Sequence, residues 1–151
     1  MKISVMGINH NKLLSGKELV EMGNEVVYVC KDNKRVENIK RGQYPSDEKE
    51  LFNAICKRSV DFTDNVKEAL ESTNMCFISE DNTHDSEALF NILSTAKTIG
   101  QHMTSHTFVI DRSPLPMNRR EQITKTIQEE LDKRGSDLTF EVISNPDFLR
   151  A

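Results

Sequence analysis

The sequence lacks any apolar run long enough to span a membrane, and its charged start lacks the apolar core of a secretory signal. Positive charge is not in excess either. Against 20 Lys+Arg stand 24 Asp+Glu, a formal net of −4, which removes any general attraction to nucleic acid or to anionic lipid. Its 3 cysteines, Cys30, Cys56 and Cys76, are odd in number and far apart, with none of the paired spacings of metal or redox sites. Reduced thiols in a cytoplasmic setting are expected. No internal repeat, low-complexity tract or linker interrupts the chain. A length of 151 residues fits one domain, which at this size buries roughly 70% of its unfolded surface.

Short β-branched runs alternate with longer amphipathic segments, the pattern of repeated strand–helix–strand units around a parallel sheet. Strands are expected over 3–6, 25–30, 60–63, 75–79, 107–111 and 140–144. Most are continuously apolar rather than alternating, which suits strands covered on both faces. Helices are expected over 12–22, 86–103 and 117–134, with Gly23 and Gly135 placed to end the first and last. Shorter helices are expected over 33–41, 48–58 and 64–71, the last with an Asp or Thr cap. The fold class is α/β: a Rossmann-like doubly wound parallel sheet of about six strands with helices on both faces. In such a sheet ligands sit at the carboxyl ends of the strands, near the reversal of strand order, so function is sought in loops 7–12, 30–33, 79–85, 112–118 and 144–151.

The first of these loops departs from what a dinucleotide needs. The turn after a first strand wants glycines at 7, 9 and 12, the second so that backbone approaches the pyrophosphate and the third for close helix packing. Here only Gly7 is present, with Asn9 and Lys12 at the other two. A Cβ at 9 intrudes on the phosphates, and Lys12 brings a bulky cation to the positive end of a helix dipole. The acidic residue expected at the end of the second strand is Cys30. Asp32, two residues on, is a partial substitute or an exposed loop carboxylate, and Lys31 hints at a phosphorylated ribose. Cys30 and Cys76 are read as small buried apolar groups in strands. His102 and His106 are read as a satisfied surface pair rather than metal ligands. His10 and His84 fall in crevice loops. Arg112, Arg119 and Arg120 with Lys12 form either a phosphate-receiving cluster or, more simply, a solvated rim. Met6, Met22, Met75, Met103 and Met117 are assigned to the core or to helix faces.

A resemblance runs over the whole chain. Met1 to Gly7, Ser15-Gly16, Leu19 to Val27, Val36 to Gly42, Ile127 to Leu131, Lys133 to Gly135 and the closing Ser144-Asn145-Pro146-Asp147-Phe148-Leu149-Arg150 resemble the N-terminal NAD-binding domain of the UDP-glucose/GDP-mannose (nucleotide-sugar) 6-dehydrogenases. The resemblance implies a domain that helps oxidise UDP-glucose to UDP-glucuronate with NAD. It also marks further departures. The family's Val-Gly-Thr-Pro loop reads Glu80-Asp81-Asn82-Thr83, adding carboxylates beside a polyanion's seat. Its Ser-Thr-Val-Pro-Val-Gly-Thr loop reads Ser113-Pro114-Leu115-Pro116-Met117-Asn118-Arg119, with Pro in place of a catalytic Thr. The family glutamate of the closing motif is Asp147. The chain stops at Ala151, ahead of where the family's substrate domain and nucleophilic cysteine lie, so residues 1–151 are read as a single domain without it.

The resulting expectation is a catalytically inactive pseudoenzyme that works as a structural, regulatory or decoy module through a protein partner or self-association. Its vestigial cofactor residues are Gly7, Asn9, Lys12, Asp32 and Ser113. Its vestigial substrate loop is Asn145, Pro146, Asp147, Phe148, Leu149 and Arg150. NAD binding is expected to be weak or lost, with no metal, no nucleic acid and no membrane. The alternatives are a residual nucleotide or UDP-sugar binder, or the NAD-domain half of a split UDP-glucose 6-dehydrogenase.

Overall fold

The computed structural model describes residues 1–7, 10–56, 60–71, 73–78, 86–111 and 119–144. Along the chain run β1 (Lys2–Met6), α1 (His10–Glu21), β2 (Glu25–Val29), α2 (Asn33–Lys40), α3 (Lys49–Cys56), β3 (Val60–Thr63), α4 (Val66–Leu70), β4 (Met75–Ile78), α5 (Ser86–His102), β5 (Thr107–Asp111), α6 (Arg119–Lys133) and β6 (Phe140–Ser144). The strands form a six-stranded sheet in the order β3-β2-β1-β4-β5-β6. Every pairing is parallel, with Val5 opposite Tyr28 and Phe77, and Phe77 opposite Ile110. This is the doubly wound order whose reversal falls at β1, the strand flanked by β2 and β4.

The continuously apolar strands are divided by their pleat between two cores. Ile3, Val5, Val26, Tyr28, Phe62, Phe77 and Ile110 face one way, together with Leu13, Leu19, Phe52 and Ile55 of α1 and α3. Cys76, Ile78, Val109 and Val142 face the other way, against Leu70, Ile92, Ile99, Ile123 and Leu131 of α4, α5 and α6. Each fully buried aliphatic side chain contributes roughly 1.5–3 kcal/mol, so both layers are needed to hold the strand ends in place. In the first core Tyr28 stacks on Phe62 at 5.2 Å between ring centres, and Tyr44 on Phe52 at 4.9 Å. In the second, Ser4 bridges β1 to α4: its hydroxyl donates to the Ala69 carbonyl at 2.9 Å and lies 2.8 Å from that of Thr73.

Helix ends follow the glycine signals. Gly23, at φ +95°, donates to the Val20 carbonyl while Asn24 donates to that of Leu19. Gly135, at φ +64°, repeats the pattern with Asp132, followed by Ser136 with Leu131. These paired bonds satisfy last-turn carbonyls through a left-handed residue that glycine adopts without strain.

Several expectations are corrected. The cap of α4 is neither Asp nor Thr: Asn65 holds extended backbone and accepts from the Glu68 N–H at 3.1 Å, while the Thr63 hydroxyl accepts from Asn65 N–H. The helices expected over 33–41 and 64–71 are shorter, ending at Lys40 and Leu70, and that expected over 48–58 is helical over Lys49–Cys56, with residues 57 and 58 outside the described residues. Helix α1 begins at His10, so Lys12 belongs to its first turn rather than to the preceding loop. Met22 is not a core residue; it is 70% exposed in the turn beyond α1, just before Gly23 redirects the chain. Met6 and Met103 are buried as expected, and Met117 lies outside the described residues.

Candidate functional site

The carboxyl ends of β1, β2 and β4 open onto a cavity of about 240 Å³. Met6 and Gly7 form its back, Val29, Cys30 and Lys31 one side, and Val66 and Ile78 the apolar end. Helix α5 supplies the opposite wall through Asn91, Ile92, Ser94, Thr95 and Thr98. The cavity therefore sits beside the reversal of strand order, where an open α/β sheet leaves a crevice because its crossover helices diverge to opposite faces.

Gly7 and Lys12 meet here. Gly7 turns the chain at φ +93°, its N–H donating to the Val29 carbonyl at 2.7 Å. A Cβ built on Gly7 would stand 2.8 Å from Nζ of Lys12 and 3.7 Å from its Cδ and Cε. The lysine thus runs back across the turn and fills the space its glycine neighbour leaves open. Beneath it, the Tyr28 hydroxyl donates to the Lys12 carbonyl at 2.9 Å and lies 3.3 Å from that of Leu13. Burial among apolar groups raises the Tyr28 phenol well above its ordinary range, keeping it a neutral donor.

Asp32 does not join this group. Its carboxylate accepts from the Arg35 N–H at 3.3 Å and caps α2, with the backbone of Asp32 extended. The expected loop carboxylate is therefore a helix cap. Cys30 also differs from expectation: β2 ends at Val29, and Cys30 is half-buried on the cavity wall although its N–H still donates to the Thr63 carbonyl at 2.9 Å. Cys76 is fully buried in β4 as expected, and burial pushes its thiol up to about 12. Cys56 is exposed at the end of α3.

The remaining candidates scatter. The His106 ring lies 2.7 Å from the Thr139 hydroxyl through Nδ1 and packs edge-on against Phe108, while His102 closes α5. Among the described residues no three His, Cys, Asp or Glu side chains gather as metal ligands would. Arg120 is exposed on α6 and lines a shallow groove with Glu121 and Lys125, a different cavity from that of Lys12. Asn9, His84, the 80–83 loop, Arg112, Ser113 and Asn145 to Arg150 lie outside the described residues.

Sequence reasoning missed the α5 wall. Its signal was present: Asn91, Ser94, Thr95 and Thr98 are small polar residues spaced by three and four along one helical strip. It also missed the reason for Gly16, a glycine inside a helix, which faces the Tyr28 hydroxyl.

Comparison with known proteins agrees with this geometry. The NAD-binding-domain model of the UDP-glucose/GDP-mannose dehydrogenase family matches residues 1–151. The chain belongs to that family. The UDP-glucose 6-dehydrogenase TuaD of Bacillus subtilis is 28% identical over 157 residues, covering 99% of this chain and 33% of the relative. The UDP-glucose 6-dehydrogenase of Rhizobium meliloti is 29% identical over 158 residues, covering 99% and 35%. This dehydrogenase-family chain thus spans about a third of the length of the curated relatives it matches. Among solved structures, a UDP-glucose dehydrogenase from Pyrobaculum islandicum superposes with a TM-score of 0.77 at 22% identity, over 98% of this chain and 36% of that one. A GDP-mannose dehydrogenase from Pseudomonas aeruginosa gives 0.74 at 22% identity, over 99% and 37%. At that identity the two structures speak to the fold, which is the Rossmann-like sheet expected from the strand pattern. Among the described residues no helix is long and apolar enough to cross a membrane.

Proposed function

We propose that this domain is a non-catalytic member of the nucleotide-sugar dehydrogenase family, one that keeps the Rossmann frame without seating NAD in the extended pose and acts as a regulatory or structural module through protein contacts. The observation that carries this reading is Lys12 lying across Gly7. A dinucleotide crosses its fold at this turn, with pyrophosphate close to backbone that only glycines leave uncovered. Here the turn has Asn9 in sequence, and a lysine side chain fills the remaining gap. Among the described residues the end of β2 offers no acidic partner for the adenosine ribose, since Cys30 follows Val29 on the crevice wall and Asp32 caps a helix. Two independent contacts of the cofactor are thereby removed while both hydrophobic cores stay intact.

The competing reading, the NAD-binding half of a working UDP-sugar dehydrogenase, draws on family membership alone and requires the cofactor to bind. Thermal unfolding with and without NAD, NADH, UDP-glucose and UDP-glucuronate separates the two. A ligand at about 100 times its dissociation constant adds roughly 2.7 kcal/mol, about 5–10 °C for a domain of this size. The expected result is no shift with millimolar NAD or NADH. A shift of that size with either cofactor would overturn the non-catalytic reading in favour of its competitor.

A further inference from the structure

We infer that the Asp61 carboxylate guards the free edge of the sheet, and that without it β3 pairs with the β3 of a second copy of this chain. The guard belongs to the end strand and is independent of how the turn after β1 meets a cofactor.

Strand β3 ends the sheet, with β2 on one side and, among the described residues, no strand on the other. Successive residues of a strand send their N–H and C=O groups to opposite sides. The Thr63 carbonyl accepts from the Cys30 N–H at 2.9 Å and so faces inward, which turns the backbone groups of Phe62 outward. The Phe62 ring is buried and stacked on Tyr28, so its backbone is held in that direction. An outward N–H of this kind is a template for another strand. Here it is taken, because Oδ1 of Asp61 accepts from the Phe62 N–H at 2.8 Å. A hydrogen bond to a carboxylate is roughly twice as strong as one to the neutral carbonyl that an incoming strand would offer.

The same acid opposes the symmetric pairing in a second way. With Val60 and Phe62 turned outward, two copies of β3 pair antiparallel about a two-fold axis, Val60 of each beside Phe62 of the other. Asp61 then falls opposite Asp61 of the second copy. Residues directly opposite in such a ladder lie roughly 4.5–5.5 Å apart, and like charges there are destabilising. Asp61 is exposed, so its side chain stands on the open face and not in the core where Phe62 packs. It therefore withholds the N–H that pairing needs and sets two negative charges on the axis, on a strand of only 4 residues whose few remaining bonds offset neither effect.

Amide hydrogen exchange and light scattering on the full chain test this. In the parent the Phe62 amide is expected to exchange about ten-fold or more slowly than an unstructured amide, since the carboxylate holds it. Asp61→Val, which puts a strand-favouring residue at this position, is expected to reach about twice the parent's mass at the same concentration. Its Phe62 amide should gain protection as concentration rises. Asp61→Ala takes its place in both measurements if the valine variant does not fold. An unprotected Phe62 amide in the parent would overturn the inference, and so would a folded variant that keeps the parent's mass. Association that leaves Phe62 unprotected would place the new contact elsewhere and overturn it as well. Growth beyond two copies would do the same, because two-fold pairing of single edges closes at the dimer.

Discussion

The Tyr28 hydroxyl occupies the space in which a side chain on Gly16 would begin: a Cβ built there stands 1.6 Å from the oxygen and 2.5 Å from the ring carbon that bears it. Helix α1 is thereby pressed onto β2 so closely that a phenol reaches the carbonyls of the helix's first turns. Gly16→Ala is expected to destabilise the domain by about 3 kcal/mol, the upper range for overpacking a filled core. Adding Tyr28→Phe removes the oxygen but leaves the ring carbon, so the double variant should recover part of the loss. A Gly16→Ala chain as resistant to urea as the parent would contradict the arrangement.

Gly100 plays the corresponding part on the opposite face. A Cβ there would lie 2.8 Å from Cβ of Glu130 and 3.0 Å from the Ile127 carbonyl oxygen, both fixed to the backbone of α6. The adjoining joint is tied by Arg134, whose Nη1 donates to the Gly100 carbonyl at 2.9 Å and to that of Met103 at 3.1 Å. Gly100→Ala should force the two helices apart at a cost of about 1–3 kcal/mol, despite alanine's better helix propensity. A gain in the denaturation midpoint would show that the helices cross less tightly than these distances say.

Thiol chemistry should rank the cysteines by their surroundings. Cys56 is exposed and should react first with a small disulfide reagent, Cys30 more slowly from the crevice wall, and Cys76 only on unfolding. Cys76 further links stability to alkaline pH. Its folded value, about 12, lies above the ordinary 9.0, so its contribution is complete below pH 9 and is lost as pH rises from there towards 12. Tyr28 is shifted in the same direction by burial. The denaturation midpoint should fall over that window, and Cys76→Ala should flatten part of the fall; an unchanged profile would dissociate Cys76 from it.

A full glycine turn should favour NAD if the proposed reading of the turn holds. In the double variant Asn9→Gly, Lys12→Gly, the lysine no longer covers Gly7, and NAD affinity is expected to rise at least ten-fold. The added glycine within α1 should cost about 1 kcal/mol. Unchanged NAD binding by a folded double variant would place the obstacle elsewhere than in this turn.

The frame was legible in the sequence because its signals are local. Parallel strands covered on both faces read as continuous apolar runs, and all six appear within a residue of their expected limits. Gly23 and Gly135 marked helix ends because a left-handed residue there excludes most alternatives. The cap of α4 was misplaced because Thr63, Asp64 and Asn65 are adjacent residues with similar capping chemistry, and only the backbone path selects among them. Met22 was misassigned because helical periodicity says nothing of where the last turn stops.

The residue types at the turn were legible in the sequence, and their arrangement was not. Asn9 and Lys12 are visible as substitutions in a glycine turn from sequence alone, and so is the missing acid at Cys30. Family membership and the doubly wound fold followed from the order of residues, since hydrophobic period and turn chemistry are properties of neighbours along the chain. That Lys12 lies over Gly7, that Asp32 caps α2, that Gly16 makes room for Tyr28 and that α5 walls the crevice with hydroxyls were decided only by the tertiary structure. Each depends on atoms brought together by packing across the sheet, and no spacing along one segment encodes where a long side chain from another will come to rest.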